Sequence, residues 1–150
     1  MKKLTHVDVK GRLAMVDVSG KDISHRYAMA TGSIKLKGAT IALIKRGRIA
    51  KGNVIAVAEV AGIQAAKRTA ELIPLCHNIF LTNVLVRVEL GQNIATAVAE
   101  TKSTGETGVE MEALVAVSVA LLTIYDMCKA VDKTMEIGEV RLVKKTKIKR

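Results

Sequence analysis

The chain has 150 residues, which fits one folded domain around one hydrophobic core. Hydrophobic residues make up 49% of it and aromatic residues only 2%, so we expect a core of aliphatic side chains. The formal net charge of +10 suits a partner that carries phosphate groups or an acidic surface.

Cysteine usage and hydropathy point to the cytoplasm. Two cysteines without a CxxC pair do not make a disulfide framework. Residues 1–10 lack the apolar centre of a signal peptide. The most apolar run, residues 113–125, is shorter than the roughly 18–20 residues that a membrane span needs. We therefore expect a cytoplasmic protein that does not enter a membrane.

The first third of the chain is predicted to form two strands and a short helix. Alternating apolar and polar residues predict strands over residues 12–19 and 24–36. Residues 39–47 predict a short helix that ends at a glycine.

The alanine-rich stretch of residues 53–73 predicts a long helix. Asn53 is a good N-cap, and Pro74 follows the helix end. Lys51 precedes the helix, where free backbone N–H groups and the helix dipole favour an anion. An ordinary exposed lysine is the alternative interpretation of Lys51.

Cys76 and His77 stand side by side just after this helix. Adjacent residues on an extended chain point to opposite sides, so His77 is poorly placed to deprotonate Cys76. His6, His25 and His77 lie far apart without the spacing of a metal site. Two interpretations stay open. Cys76 and His77 either belong to a substrate pocket, or they are a buried cysteine and a loop histidine that have no chemical role.

A hairpin follows, with strands predicted over residues 83–90 and 93–103. The period-two pattern of the first strand places Val84, Val86 and Val88 on one face. Gly91-Gln92 forms the connection.

Residues 107–133 predict the second long helix. Thr107 and Glu110 have the spacing of a capping box. Residues 113–124 are almost entirely apolar, and a helix that is apolar on all sides must be buried on all sides. One sheet covers only one side, so we expect a second subunit to cover another.

Three charged residues of this helix are not explained by capping. Glu112 lies in apolar surroundings, and Asp126 and Lys129 share a helix face at i and i+3. Asp126 and Lys129 form either a structural ion pair or an acid–base pair, in which burial and mutual proximity shift both pKa values toward useful ranges and lower that of Lys129. Glu112 and Asp126 are separated by about 21 Å and some 40° along a straight helix. If both line active sites, each site takes them from two subunits.

A last strand is predicted over residues 138–146, followed by a basic tail, residues 146–150. The tail is either solvated or grips phosphate. From residue 24 the order is β-α-β-β-α-β, which predicts an α+β sandwich of ferredoxin-like type with an antiparallel sheet packed by two long helices.

Seven motifs in order carry a resemblance: "LTHVD", "MVDVS", "KGNV", "AGIQAAKRT", "ELIPLCH", "TGVEMEAL" and "TIYDMCKAVDK". On these motifs the chain resembles the cyclic pyranopterin monophosphate synthase family of molybdenum cofactor biosynthesis. The resemblance runs from about residue 4 to about residue 145. It implies one synthase domain over residues 1–150, assembled as a homohexamer of three dimers with active sites at dimer interfaces.

The resemblance also implies an activity and its residues. The substrate is the 3′,8-cyclised 7,8-dihydro form of GTP, and the products are cyclic pyranopterin monophosphate and pyrophosphate. The catalytic residues implied are Asp126 and Lys129. The substrate-binding residues implied are Leu75, Cys76, His77, Met111, Glu112, Lys51, Lys145 and Arg26. No metal site and no redox cofactor are implied, although Mg²⁺ can accompany the triphosphate.

The sequence departs from the family pattern at its C-terminal end and at one residue. The chain ends in "TKIKR", whereas the family usually continues with a glycine-rich, flexible end. Asn53 stands where the family commonly has aspartate, which preserves helix capping.

Two rival functions fit the composition less well. Ferredoxin-like sheets that bind RNA stack bases on aromatic side chains, and this chain offers only Tyr27, Phe80 and Tyr125. A non-catalytic oligomeric scaffold leaves the polar residues of the second long helix unexplained. We therefore expect no nucleic-acid partner.

Overall fold

The computed structural model describes residue 7 and residues 10–149. His6 and most of the "LTHVD" motif lie outside the described residues. The elements in chain order are β1 (Ser24–Lys35), α1 (Gly38–Lys45), α2 (Val54–Lys67), α3 (Thr69–Leu72), β2 (Leu81–Leu90), β3 (Ile94–Gly105), α4 (Glu110–Cys128) and β4 (Glu136–Lys149).

The four strands form one antiparallel sheet in the order β2-β3-β1-β4. The central strand β1 pairs with β3 from Ser24 opposite Gly105 to Lys35 opposite Ile94. The long helices α2 and α4 pack against each other and against the sheet. The predicted ferredoxin-like fold is therefore confirmed.

Small residues let the helices approach closely. The β3 residues Ala95, Ala97 and Ala99 are fully buried. A Cβ on Gly32 of β1 would lie 2.8 Å from Val117 Cγ1 of α4, and a Cβ on Gly62 of α2 would lie 2.9 Å from the Ala116 carbonyl oxygen. This close packing fixes α4, which carries site residues near both of its ends.

The predicted helix over residues 53–73 is divided in two. Its cap is confirmed, because Asn53 Oδ1 accepts a hydrogen bond of 3.1 Å from the Ala56 N–H. Arg68 interrupts the helix with φ −111°. The buried Thr69 hydroxyl donates to the carbonyl of Ala66 at 3.0 Å, and such a bond competes with regular helix geometry.

The predicted strand over residues 12–19 is wrong. Within the described residues this stretch forms only an isolated bridge between Val7 and Leu13. Val16 and Val18 are half-buried, whereas their direct neighbours are exposed. The alternating pattern therefore marks an extended segment with one covered face that does not pair as a strand of the sheet. We call residues 12–21 the N-terminal strap.

The predicted capping box is also wrong. Helix α4 begins at Glu110, and its N-cap is Val109, for which the structure gives no side-chain cap within the described chain. Val109 is 1% exposed, and its carbonyl accepts a 2.9 Å hydrogen bond from the Thr101 hydroxyl. This anchor holds Val109 in a non-helical conformation, with φ −116°, so that the helix starts after it.

Helix α4 is a core helix. By its length and the composition of its most apolar window, this 19-residue helix could cross a membrane. The run of residues 113–125 alone is too short to do so. More than half of that window is buried inside the protein. On one subunit, however, Leu122 remains 57% exposed, on a helix that was expected to be covered on every side.

The C-terminal residues 146–149, which the sequence set apart as a basic tail, belong to β4. They pair with the start of β1, and Lys147 lies directly opposite Arg26.

Candidate active site

A cavity of about 490 Å³ lies between the strap, the loop after α3 and the beginning of α4. Its lining residues are Val16, Val18, Lys21, Leu75, Cys76, His77, Ile79, Thr107, Gly108, Glu110, Met111 and Glu112. Five of the eight expected substrate-binding residues therefore meet here, although two separate stretches of chain supply them.

Two hydrogen bonds hold the Cys76–His77 loop at the rim. The Cys76 N–H donates to the Ile73 carbonyl at 3.0 Å, and Ser103 donates to the Phe80 carbonyl at 2.9 Å. Burial raises the pKa of the Cys76 thiol, and the Glu112 carboxylate raises it further. The thiol is therefore protonated near neutral pH, which disfavours a role as nucleophile.

His77 contacts the strap. Its Nε2 lies 2.7 Å from the carbonyl oxygen of Val16. The structure thus joins the loop to a segment that is 61 residues away in the sequence. Within residue 7 and residues 10–149, no group of three or more His, Cys, Asp or Glu side chains is arranged to hold a metal ion.

Glu112 is a buried carboxyl group in the cavity wall. The residue is 3% exposed, and its Oε2 atom has no hydrogen-bond partner among the described residues. Burial raises its pKa, and the nearby charge of Glu110 adds to the effect. A buried polar atom without a partner is costly, and a ligand that donates a hydrogen bond would relieve that cost.

A second cluster, formed by Lys51, Asp126 and Lys129, lies near the other end of α4. Asp126 Oδ2 lies 2.6 Å from Lys51 Nζ, and Asp126 Oδ1 lies 2.7 Å from Lys129 Nζ. The hydrogen bonds from Lys129 and then from Lys51 lower the pKa of Asp126 to about 2.

The expectation that burial and mutual proximity bring both pKa values of this pair into useful ranges, with that of Lys129 lowered, is wrong for the single subunit. About half of each side chain in this cluster is exposed, and the hydrogen bond to Asp126 raises the pKa of Lys129. In the free subunit Asp126 is therefore ionised and Lys129 is protonated at neutral pH.

Arg26 and Lys145 line a smaller groove of about 300 Å³. Lys147 also lines it, and Gly108 and Glu110 belong to both the groove and the main cavity, so that the two adjoin. Lys145 Nζ lies 3.1 Å from Glu110 Oε1. The groove therefore adds cationic side chains next to the cavity.

One subunit does not bring all the expected residues together. Glu112 lies in the first turn of α4 and Asp126 in the last turn, about 21 Å apart along the helix. The cavity and the Lys51–Asp126–Lys129 cluster are thus separate sites on the same chain.

Sequence reasoning missed several lining residues. Val16, Val18 and Lys21 come from the strap, and the alternation of the two valines was the signal that one side of it is covered. Lys147 could be found only from the strand register, which places it opposite Arg26.

The fold and the site define a class: an α+β protein of ferredoxin-like type with a cation-flanked cavity of the size that small molecules occupy. Residues 15–147 match the model of the MoaC family, and the chain belongs to that family.

Individual relatives agree with this assignment. A cyclic pyranopterin monophosphate synthase of Peptoclostridium acidaminophilum is 51% identical over 144 residues, covering 96% of this chain and 92% of the relative. Synthases of the same name from Brucella ovis and Brucella abortus are 53% identical over 148 residues, covering 96% of this chain and 88% of each relative.

Proposed function

We propose that this protein is a cyclic pyranopterin monophosphate synthase of molybdenum cofactor biosynthesis. It converts the 3′,8-cyclised 7,8-dihydro-GTP intermediate into cyclic pyranopterin monophosphate and releases pyrophosphate, as a lyase. The observation that carries the proposal is the meeting of Leu75–His77 with Met111 and Glu112 in one cavity of a MoaC-family chain.

The cavity is suited to the ring system of this substrate. The unpartnered Glu112 oxygen can accept a hydrogen bond from an N–H group of the purine-derived ring. Leu75 and Met111 supply apolar contacts, and Cys76 contributes shape without reacting. His77 orients the base or ribose portion.

The cations serve the phosphate groups. Lys51, Arg26 and Lys145 bind the triphosphate and stabilise the negative charge of the departing pyrophosphate. Closure of the cyclic phosphate transfers no electrons, so the proposal requires no redox cofactor. Magnesium bound to the triphosphate would arrive with the substrate.

Asp126 and Lys129 carry out the proton transfers in this proposal. Asp126 is ionised and can accept a proton, and Lys129 is protonated and can donate one. A substrate phosphate that attracts Lys51 away from Asp126 would remove one cause of the low Asp126 pKa, which makes Asp126 a stronger base when substrate is bound.

We further propose that each active site is built from two subunits. The 21 Å between Glu112 and Asp126 is too long for one small substrate to contact both residues of one chain. In a homohexamer of three dimers, the cavity of one subunit would face the Lys51–Asp126–Lys129 cluster of its neighbour. The exposed Leu122 on α4 is compatible with such a covering subunit. We place the protein in the cytoplasm.

A pyrophosphate-release assay with the cyclised GTP intermediate tests the proposal. Turnover is expected for the wild type, and Asp126→Ala and Lys129→Ala should each abolish most of it while the oligomer remains intact. Lys133→Ala, an exposed lysine four positions beyond Lys129, is the control and should stay active. Absence of turnover together with tight, salt-dependent RNA binding would support the nucleic-acid-binding alternative.

A further inference from the structure

The N-terminal strap forms one wall of the cavity without belonging to the sheet. Val16, Val18 and Lys21 line the cavity, whereas Met15 is 53% exposed and does not line it. Local hydrogen bonds shape the strap, including one of 3.0 Å from the Lys21 N–H to the Val18 carbonyl. Its shape is therefore set locally, and its position depends on what it contacts across the cavity.

The contact between Val16 and His77 determines where a proton lies. The Val16 carbonyl oxygen can only accept a hydrogen bond, so at 2.7 Å the Nε2 atom of His77 must carry the hydrogen. In a neutral imidazole ring the other nitrogen, Nδ1, then has no hydrogen and can only accept.

The His77 side of this contact is held in place by its loop, and the Val16 side adjoins the cavity. The loop that carries His77 is anchored by the Cys76 N–H at the Ile73 carbonyl and, further along, by Ser103 at the Phe80 carbonyl. On the other side, Val18 sits against the cavity two residues beyond Val16. The His77 ring is thus oriented by a backbone oxygen from a distant part of the chain. The loop that carries His77 does not itself supply this hydrogen-bond acceptor.

We propose that Val16 is a positioning residue of the active site: its backbone carbonyl holds His77 in the Nε2–H tautomer, so that Nδ1 is the nitrogen that accepts a hydrogen bond from the substrate. The role assigned to Nδ1 rests on the proposed function. The tautomer and its dependence on the strap do not rest on it, and they can be measured without substrate.

The tautomer is tested by NMR on the full-length protein with ¹⁵N-labelled histidine. The His77 signals are assigned by their loss in His77→Gln. We expect a single tautomer with the hydrogen on Nε2, slow exchange of that hydrogen with water, and cross-relaxation between it and protons of Val16 and Asp17. A hydrogen on Nδ1, or signals averaged between the two tautomers, would overturn the proposal.

Val18→Asp tests the role of the strap, because it places a carboxylate in the wall that also contains Glu112. Met15→Asp is the matched control, since it adds the same charge to an exposed position of the same segment. In Val18→Asp the His77 signals should become tautomer-averaged and the Nε2 hydrogen should exchange faster. In Met15→Asp both should stay as in the wild type. Unchanged His77 signals in Val18→Asp, with the strap shown to be displaced, would contradict the role of Val16.

A double-mutant cycle separates positioning from simple loss of substrate contact. We expect Val18→Asp to lower kcat on the order of tenfold, the scale of a misplaced proton-transfer or orienting group, with a smaller change in KM. In a His77→Gln background the same substitution should have little further effect on kcat, because the group it misplaces is already gone. An equal loss of kcat in both backgrounds would show that the strap acts independently of His77.

Discussion

At the scale of single residues, the buried carboxyl group of Glu112 links stability to binding. Its pKa is raised mainly by burial, so the folded protein binds its proton more tightly than the unfolded chain does. By linkage, stability falls as the pH rises through the ordinary pKa towards the raised one. The ionised group therefore costs stability at neutral and alkaline pH, which is compatible with a role in ligand binding.

Glu112→Gln should remove this cost while abolishing efficient turnover. We expect the free energy of unfolding to rise at pH 8 and to rise by less at pH 5. Urea unfolding at the two pH values measures the difference, and Glu71→Gln, at an exposed position, is the control. An equal gain at both pH values would show that charge burial is not the cause.

Two lysines lower the pKa of Asp126, each through a hydrogen bond and through its charge. The hydrogen bond from Lys129 has the larger effect and the hydrogen bond from Lys51 the smaller. Because the pKa is lowered, the pairing favours the folded state above the ordinary value of 3.8, and this contribution is lost as the pH falls towards about 2.

Replacing either lysine by methionine should raise the pKa of Asp126. Lys129→Met should raise it more than Lys51→Met, and the double variant should bring it close to the ordinary value. A ¹³C titration of the labelled aspartate side chain measures this order. A larger effect of Lys51→Met would contradict the ranking of the two hydrogen bonds.

At the scale of secondary structure, long elements with one buried face were predicted well. Strand β1 and the β2–β3 hairpin carry their burial pattern in the sequence, so periodicity locates them, and α4 is located by its long apolar run. Periodicity failed for the strap, since an alternating pattern shows that one face is covered but not what covers it. It also missed the start of α4, which depends on the tertiary contact between Thr101 and Val109.

The site was less predictable from physical reasoning than the fold. Residue spacing placed Asp126 beside Lys129, and the structure confirms their ion pair. The grouping of Cys76 and His77 with Met111 came from the family resemblance, because only the three-dimensional fold brings these segments to one cavity. No local signal in the sequence marks Lys21 as a lining residue.

The register of β4 leads to a prediction about the phosphate groove. Lys147 lies opposite Arg26 and lines the groove with Lys145, whereas Lys144 lies opposite Met29 on the other face of the sheet. If the groove binds the triphosphate, Lys147→Ala should raise KM about three- to tenfold with little change in kcat, because it removes a charge that attracts substrate and pyrophosphate alike.

Lys144→Ala is the matched control for Lys147→Ala, since it removes the same charge from the same strand and should leave KM within about twofold. The two variants are compared by steady-state pyrophosphate release at low and high salt. The difference in KM should shrink at high salt, where charges are screened. Equal effects of the two substitutions would mean that only the overall charge matters.

At the scale of the whole molecule, α4 acts as a rigid spacer. It holds Glu112 near one end and Asp126 near the other, and the close packing at Gly32 and Gly62 prevents the helix from shifting to shorten that distance. An active site that uses both residues must therefore combine the cavity of one subunit with the Lys51–Asp126–Lys129 cluster of another. Such a shared site would tie catalysis to assembly.

Mixing two inactive variants tests this arrangement directly. A hybrid dimer of Glu112→Ala and Asp126→Ala contains one site with both defects and one intact site. Random exchange at equal concentrations makes half of the dimers hybrid, so we expect recovery of about one quarter of the wild-type activity. A mixture of Asp126→Ala with Lys129→Ala is the control. Both substitutions fall in the same cluster, so every site of its hybrids keeps one defect and should stay inactive. Mixed oligomers that are verified by mass and yet show no recovery in the first mixture, or equal recovery in both, would mean that each site is contained within one subunit.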